Sequence, residues 1–155
     1  MIFSYPNRRL HLVDIENLAG SPCPDDFLCR ALGAAYFGLG IVGGDDLVVV
    51  GCCHRMLATA AFGFGSARYV VASGKDGADK ALLGVCEEAG GFERRFDGIV
   101  IGSGDHIFVD AALSARRSNL DVEVISRYGH ISRVLRSVAD RVRFLDIAPD
   151  PLAAA

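Results

Sequence analysis

The sequence predicts an α/β fold, a three-layer α/β/α sandwich built on a mainly parallel central sheet. Two patterns point to it. The apolar runs at 47–50 (Leu-Val-Val-Val) and 99–101 (Ile-Val-Ile) are continuous instead of alternating, as in strands covered on both faces. Between such runs lie stretches of helical periodicity, and strands alternating with helices of that length imply parallel pairing through right-handed crossovers. A chain of 155 residues, 51% of them apolar, suits one domain with a full core. We expect that domain to span 1–147, followed by a frayed tail at 148–155 that carries Pro149 and Pro151.

In chain order, residues 9–15 form a first strand with Asp14 near its end, followed by Glu16 and Asn17. Ser21-Pro22-Cys23-Pro24 is a loop, and Pro24-Asp25-Asp26 starts a helix through Phe27, Leu28, Ala31, Leu32 and Ala35. Residues 40–46 break that helix ahead of the strand at 47–50. Residues 54–64 carry a helix-like pattern weakened by Gly63 and Gly65; 67–72 is a third strand and 73–77 a polar turn. A helix at 78–89 places Ala81, Leu82, Val85 and Cys86 on one face and stops at Gly90-Gly91. The fourth strand, 96–101, leads to a helix at 105–117, in which Asp105 is the N-cap ahead of Phe108, Ala111, Ala112 and Ala115. A strand at 122–125, a helix at 131–139 and a short strand at 142–145 complete the domain.

The formal charge of −3 gives no global basic footprint of the kind duplex-DNA binders carry, so nucleic-acid contact would come from a local patch. No tract of about 18 apolar residues offers a membrane span. Residues 1–9 hold two arginines without an apolar signal core, which makes the cytoplasm the expected location. Cys23, Cys29, Cys52, Cys53 and Cys86 are odd in number and lack C-x-x-C spacing. They read as small buried residues in a reducing compartment and not as a zinc or redox site.

Open α/β sheets bind ligands outside the carboxyl ends of their strands. Three carboxylates reach that rim by separate routes: Asp14 after the first strand, Asp79 at the start of the third helix, and Asp105 after Gly102-Ser103-Gly104. Clustered carboxylates repel and are costly to bury unless something neutralises them. Mg²⁺ or Mn²⁺ is the natural partner, a hard cation that takes oxygen ligands and keeps several waters. Asn17 and Ser103 add neutral groups that orient a carboxylate or a phosphate. The Gly102-x-Gly104 pair also invites a dinucleotide-binding reading. It fails because Ile107 occupies the third glycine position and the motif follows the fourth strand, not the first.

Val13-Asp14-Ile15-Glu16-Asn17-Leu18, Gly77-Ala78-Asp79-Lys80-Ala81-Leu82 and Gly102-Ser103-Gly104-Asp105 resemble, in order and spacing, the motifs of NYN domains, a branch of the PIN-like metal-dependent ribonucleases. The segment at 121–127 resembles the strand after the catalytic helix, and 131–140 the closing helix. The resemblance covers roughly 10–145. It implies a PIN-like sheet, an Mg²⁺ or Mn²⁺ site and cleavage of RNA phosphodiesters by metal-activated water, leaving a 5′-phosphate and a 3′-hydroxyl. Asp14, Asp79 and Asp105 match the acidic positions, which makes them the implied metal ligands and catalytic residues; Asn17 matches the asparagine that supports the first acid. One position departs. Where the family pattern has a second aspartate after Asp105, this chain has Ile107, which implies a one-metal site or weak activity unless Asp110 or Asp76 substitutes for the missing acid.

His54, Arg55, Lys75, Lys80, Arg127 and Arg133 lie on or near the same rim and together suit phosphate binding and the steering of RNA. His106, next to Asp105, reads either as a solvated first-turn residue or as a group placed to face RNA or donate a proton. Arg116 and Arg117 fall at a helix end, where dipole complementarity accounts for them. Tyr128 reads equally as a base-stacking ring or as packing. The expectation is a ribonuclease, with two rivals: an RNA-binding or regulatory module whose catalysis is weakened at Ile107, and a phosphohydrolase on small nucleotides. The apolar helices also leave room for a homodimer.

Overall fold

The computed structural model describes residues 8–147. The expected tail at 148–155 lies outside them. Six strands form one sheet in the order β3-β2-β1-β4-β5-β6. They are β1 (Arg9–Asp14), β2 (Leu47–Cys52), β3 (Arg68–Val71), β4 (Gly98–Gly102), β5 (Asp121–Ser126) and β6 (Arg141–Phe144). Every pairing is parallel. The sequence expectation of a mainly parallel sheet is met throughout the described residues.

This order moves outward from β1 to β3, returns, and moves outward again from β4 to β6. A right-handed crossover puts its helix on one face for the first direction and on the opposite face for the second. Accordingly α1 (Ile15–Ala19), α2 (Asp26–Gly38) and α3 (Leu57–Phe64) cover one face, packing Leu18, Leu32, Tyr36 and Phe64 on Val13, Val50 and Val100. The other face carries α4 (Gly77–Glu87), α5 (Val109–Arg117) and α6 (Arg133–Val138), with Leu82, Val85, Ala112 and Leu135 against Leu10, Leu12, Ile99 and Val124. Two apolar layers about one sheet explain why the strands read as unbroken apolar runs.

Helix α1 is absent from the sequence reading, which assigned no element between the first strand and the loop at 21–24. Five residues are too few to show a period. Its bounds are set by capping: Asp14 accepts from the Asn17 N–H at 3.3 Å, and the chain leaves through Gly20 at φ 67°. The helix expected from Asp105 begins instead as a 3-10 turn, His106–Phe108, before α5. Of the five cysteines, all free, Cys29, Cys52 and Cys86 are buried as expected, whereas Cys23 is exposed and Cys53 half-buried.

Away from the strand carboxyl ends, a polar group crosses the core. His11, fully buried on β1, lies 3.0 Å from an Asp46 carboxylate oxygen through Nε2 and 2.7 Å from the Tyr36 hydroxyl through Nδ1. The Nε2–H donates to Asp46, and with burial favouring the neutral ring Nδ1 accepts from the Tyr36 hydroxyl. Burial holds the His11 pKa below its ordinary 6.5, against the pull of Asp46. The unfolded chain therefore takes up this proton first as pH falls, and the stability His11 contributes is present above pH 6.5 and lost below it. In thermal unfolding from pH 7.5 to about 5, the gap between wild type and His11→Gln is expected to narrow.

Candidate metal and nucleic-acid site

The strand order reverses between β1 and β4, and a crevice opens there at the strand carboxyl ends. Strand parity decides which side chains enter it. Leu10 and Leu12 face α4 and α5, so Asp14, two residues on, faces them too; Ile99 and Ile101 do the same for Ser103. Asp79 comes from the first turn of α4. That helix lies close because β2 has Gly51 beneath it: a Cβ there would come within 2.6 Å of Leu82 Cγ and 3.2 Å of the Ala78 carbonyl oxygen.

The result is a cleft of about 200 Å³ lined by Asp14, Glu16, Asp76, Asp79 and Asp105, with Asn17 and Cys53. The three aspartates singled out in the sequence line it together. Glu16, seen in the sequence only as a neighbour of Asp14, joins them. Its signal was spacing: two residues past Asp14, in the first turn of a helix too short to be recognised. Asp76 also lines the cleft. Asp110 does not; it lines a separate cavity of about 540 Å³ with Ile107, Leu83 and Phe92. Of the two suggested substitutes for the missing acid, the structure therefore brings Asp76 to the site and leaves Asp110 elsewhere. That larger cavity and another of about 530 Å³ around Arg9 and Asp46 lie apart from the three aspartates.

Ser103 ties the acids together. Its buried hydroxyl donates to Asp14 Oδ2 at 3.0 Å and accepts the Asp105 backbone N–H at 3.2 Å. Asp105 also caps the next turn, accepting from the Ile107 N–H at 3.0 Å. Asn17 meets Asp14 through its backbone N–H, while its side-chain oxygen accepts from the Gly104 N–H at 2.9 Å. Asn17 thus clips α1 to the loop that bears Asp105.

Gly104 is required for contact and not for turning. A Cβ on it would lie 1.9 Å from the His130 carbonyl oxygen and 2.7 Å from Ser126 Oγ, and its own carbonyl accepts from the Ser132 N–H at 2.8 Å. Gly104→Ala is expected to push the β4–α5 and β5–α6 loops apart at a cost of ~1–3 kcal/mol. A displacement of about 1 Å in the Asp105 loop would lower activity on the order of 100-fold. Thermal unfolding and a cleavage assay read the two effects separately.

The electrostatics are those of crowded acids. Burial, then the charge of Asp79 and a hydrogen bond with it, push the Asp14 carboxyl well above the usual carboxylate range. Burial and the charges of Asp105 and Asp76 raise Asp79, against the hydrogen bond with Asp14. Burial and Asp79 raise Glu16, while the Cys53 thiol holds it down. Such a group takes up protons or a cation. Its donors are carboxylate oxygens, which fit a hard divalent ion. Among the described residues, however, no three His, Cys, Asp or Glu side chains are already gathered as a ligand group. An ion held here would keep waters in part of its shell, as Mg²⁺ commonly does.

Of the expected cationic residues, His54, Arg55, Lys75, Lys80 and His106 are exposed around the cleft-bearing loops, as is Arg133 at the start of α6. His54 is fixed by the Ser73 hydroxyl at 2.8 Å, and His106 Nδ1 lies 3.2 Å from Asp105 Oδ1. Arg127 is half-buried and donates from Nε to the Asn17 carbonyl at 3.2 Å, so it straps the β5–α6 loop to α1. Arg116 pairs with Asp140 at 2.6 Å, consistent with a structural role. The dinucleotide reading fails again on geometry: the turn after β1, where that fold seats a pyrophosphate, holds Asp14 and Glu16.

No match is found among curated proteins. A crystal structure of a protein of unknown function from Vibrio parahaemolyticus is similar, with a TM-score of 0.64 at 17% identity, over 94% of this chain and 97% of that one. At that identity the likeness shows the fold. The family model of the NYN domain matches residues 55–147, which include Asp79 and Asp105; Asp14 precedes the match and joins them through β1. With more than half its length inside that match, the chain belongs to the NYN domain family, a family of PIN-like nuclease domains.

Proposed function

We propose that this NYN domain is a divalent-cation-dependent ribonuclease. The observation that carries the proposal is the convergence of Asp14, Asp79 and Asp105 on one cleft at the strand-order reversal, with Ser103 joining two of them. Asp14, Asp79 and Asp105 would hold Mg²⁺ or Mn²⁺, with Glu16 and Asp76 beside them. Bound there, the ion would polarise the phosphodiester and activate water for in-line attack.

The chain's own groups do the rest. Ser103 and the Asn17 N–H hold the Asp14 carboxylate in one orientation. The Asp105 carboxylate is fixed by its cap to Ile107. The exposed His54, Lys75, Lys80 and His106 meet the phosphate backbone, and Arg127 stiffens the rim they share. At about 200 Å³, the cleft is smaller than the roughly 300–1,000 Å³ of pockets that enclose small molecules. That favours a polymer laid across the rim over an engulfed nucleotide.

The test is a gel assay on single-stranded and structured RNA with Mn²⁺, with EDTA, and with Asp105→Asn. Cleavage that needs both the ion and Asp105 supports the proposal; cleavage that survives either change defeats it. Ile107, in place of the second aspartate of the family pattern, favours one alternative, an RNA-binding module with weakened catalysis, whose signature is binding without cleavage.

A further inference from the structure

The β5–α6 connection carries the most exposed large aromatic or apolar side chain among the described residues. Tyr128 is 76% exposed, against 57% for Phe62, the next. Exposure of that size usually goes with a mobile ring, yet this one is held. Tyr128 stacks on Phe144 with centroids 4.2 Å apart and planes 20° from parallel. Phe144 ends β6 and is registered against Ser126, the residue two before Tyr128. One face of the Tyr128 ring is thus supported from below, and the exposed area belongs to the other.

The segment is also tied to the acidic cleft on both sides. The turn closes with the His130 N–H donating to the Arg127 carbonyl at 3.2 Å. The His130 carbonyl packs against Gly104, one residue before Asp105, and Arg127 reaches the Asn17 carbonyl in the helix that Asp14 caps. The segment that carries the ring is thereby anchored to the loops that bear Asp14 and Asp105. The exposed Arg133 stands five residues on.

An aromatic face that is backed, open and carried on the segment that bears Arg127 and Arg133 has one chemical complement in RNA, the flat face of an unpaired nucleobase. Proteins that bind single strands use such rings because every base offers a π face, whereas bases in a duplex are already stacked on one another. We propose that Tyr128, backed by Phe144, is a stacking platform for an unpaired base of the RNA entering the cleft. The two readings of Tyr128 in the sequence, base stacking and packing, are then both correct, one for each face of the ring. This inference rests on the ribonuclease proposal for its substrate but on separate residues for its evidence.

The experiment uses the full chain carrying Asp105→Asn, in EDTA, titrated with a single-stranded RNA containing one 2-aminopurine and with a blunt duplex of the same sequence. Stacking quenches the fluorophore. The single strand is expected to bind with quenching, and Tyr128→Ala to weaken that binding roughly 10-fold and abolish the quench. Tyr128→Phe should preserve both. Tyr128→Leu, which keeps a side chain over Phe144, should behave like Tyr128→Ala, separating loss of the platform from loosening of the loop. Duplex binding should be unchanged in all three. Unchanged single-strand affinity and quench in Tyr128→Ala, equal losses on the duplex, or no binding of either RNA would overturn the platform. Intact Tyr128-dependent binding by a wild-type protein that cleaves nothing with Mn²⁺ would sink the nuclease proposal alone.

Discussion

Asp14→Asn is expected to reduce cation-dependent RNA cleavage on the order of 1,000-fold, about 4 kcal/mol of barrier. The fold should survive. An amide at this position still accepts the Asn17 N–H, and the Ser103 hydroxyl, which now donates to Asp14, has a lone pair to accept from the new NH₂. What disappears is the most deeply buried carboxyl of the cleft, in a residue only 4% exposed, and with it an oxygen ligand that a cation would hold in the charged form. Single-turnover cleavage with Mn²⁺, beside a circular dichroism melt of the same preparation, separates lost chemistry from lost structure. A variant that melts normally and still cleaves within about 10-fold of wild type would remove Asp14 from the mechanism.

Asp79→Asn is expected to raise thermal stability in EDTA at neutral pH while removing the stabilisation that Mn²⁺ gives wild type. The Asp14 and Asp79 carboxyls titrate in the folded chain above their ordinary 3.8. As pH rises, the unfolded chain releases these protons first, so the contribution of the pair to stability is complete below pH 3.8 and is lost as pH climbs through the folded values. At neutral pH the acids oppose folding, and an amide at 79 relieves part of that repulsion. A gain of ~1 kcal/mol would appear as roughly 2–4 °C in the melting temperature of a chain this size. A cation that binds only the native state stabilises wild type by about 2.7 kcal/mol at 100 times its dissociation constant. The order of the two melts should therefore invert between EDTA and saturating Mn²⁺. A wild-type melting temperature indifferent to Mn²⁺ would count against an ion at this cleft.

Much of the site was legible because local chemistry and tertiary position coincide there. Asp14 and Asp105 stand at strand ends, each followed by a helical turn it caps, and an N-cap signature is local. The contributions of Asn17 and Gly104 were less visible. Asn17 acts across 87 residues on the Gly104 N–H, and Gly104 is fixed by the carbonyl of His130, so neither role has a signature in its own neighbourhood. The buried His11–Asp46–Tyr36 group went unread for the same reason, since three residues spaced over 35 positions meet only when β1, α2 and the loop before β2 are packed.

The sequence by itself determined the layers, the parallel sheet and the rim to which the three aspartates come. Apolar runs buried on both faces and right-handed crossovers leave little other choice. Tertiary structure alone decided which neighbours complete the cleft: it brought in Glu16 and Asp76, sent Asp110 with Ile107 to another cavity, and mounted Tyr128 on Phe144. The physical reason is range. Periodicity and capping are encoded within a few residues, whereas the facing of side chains from different crossovers is fixed by strand register and by how closely glycines such as Gly51 let a helix approach the sheet.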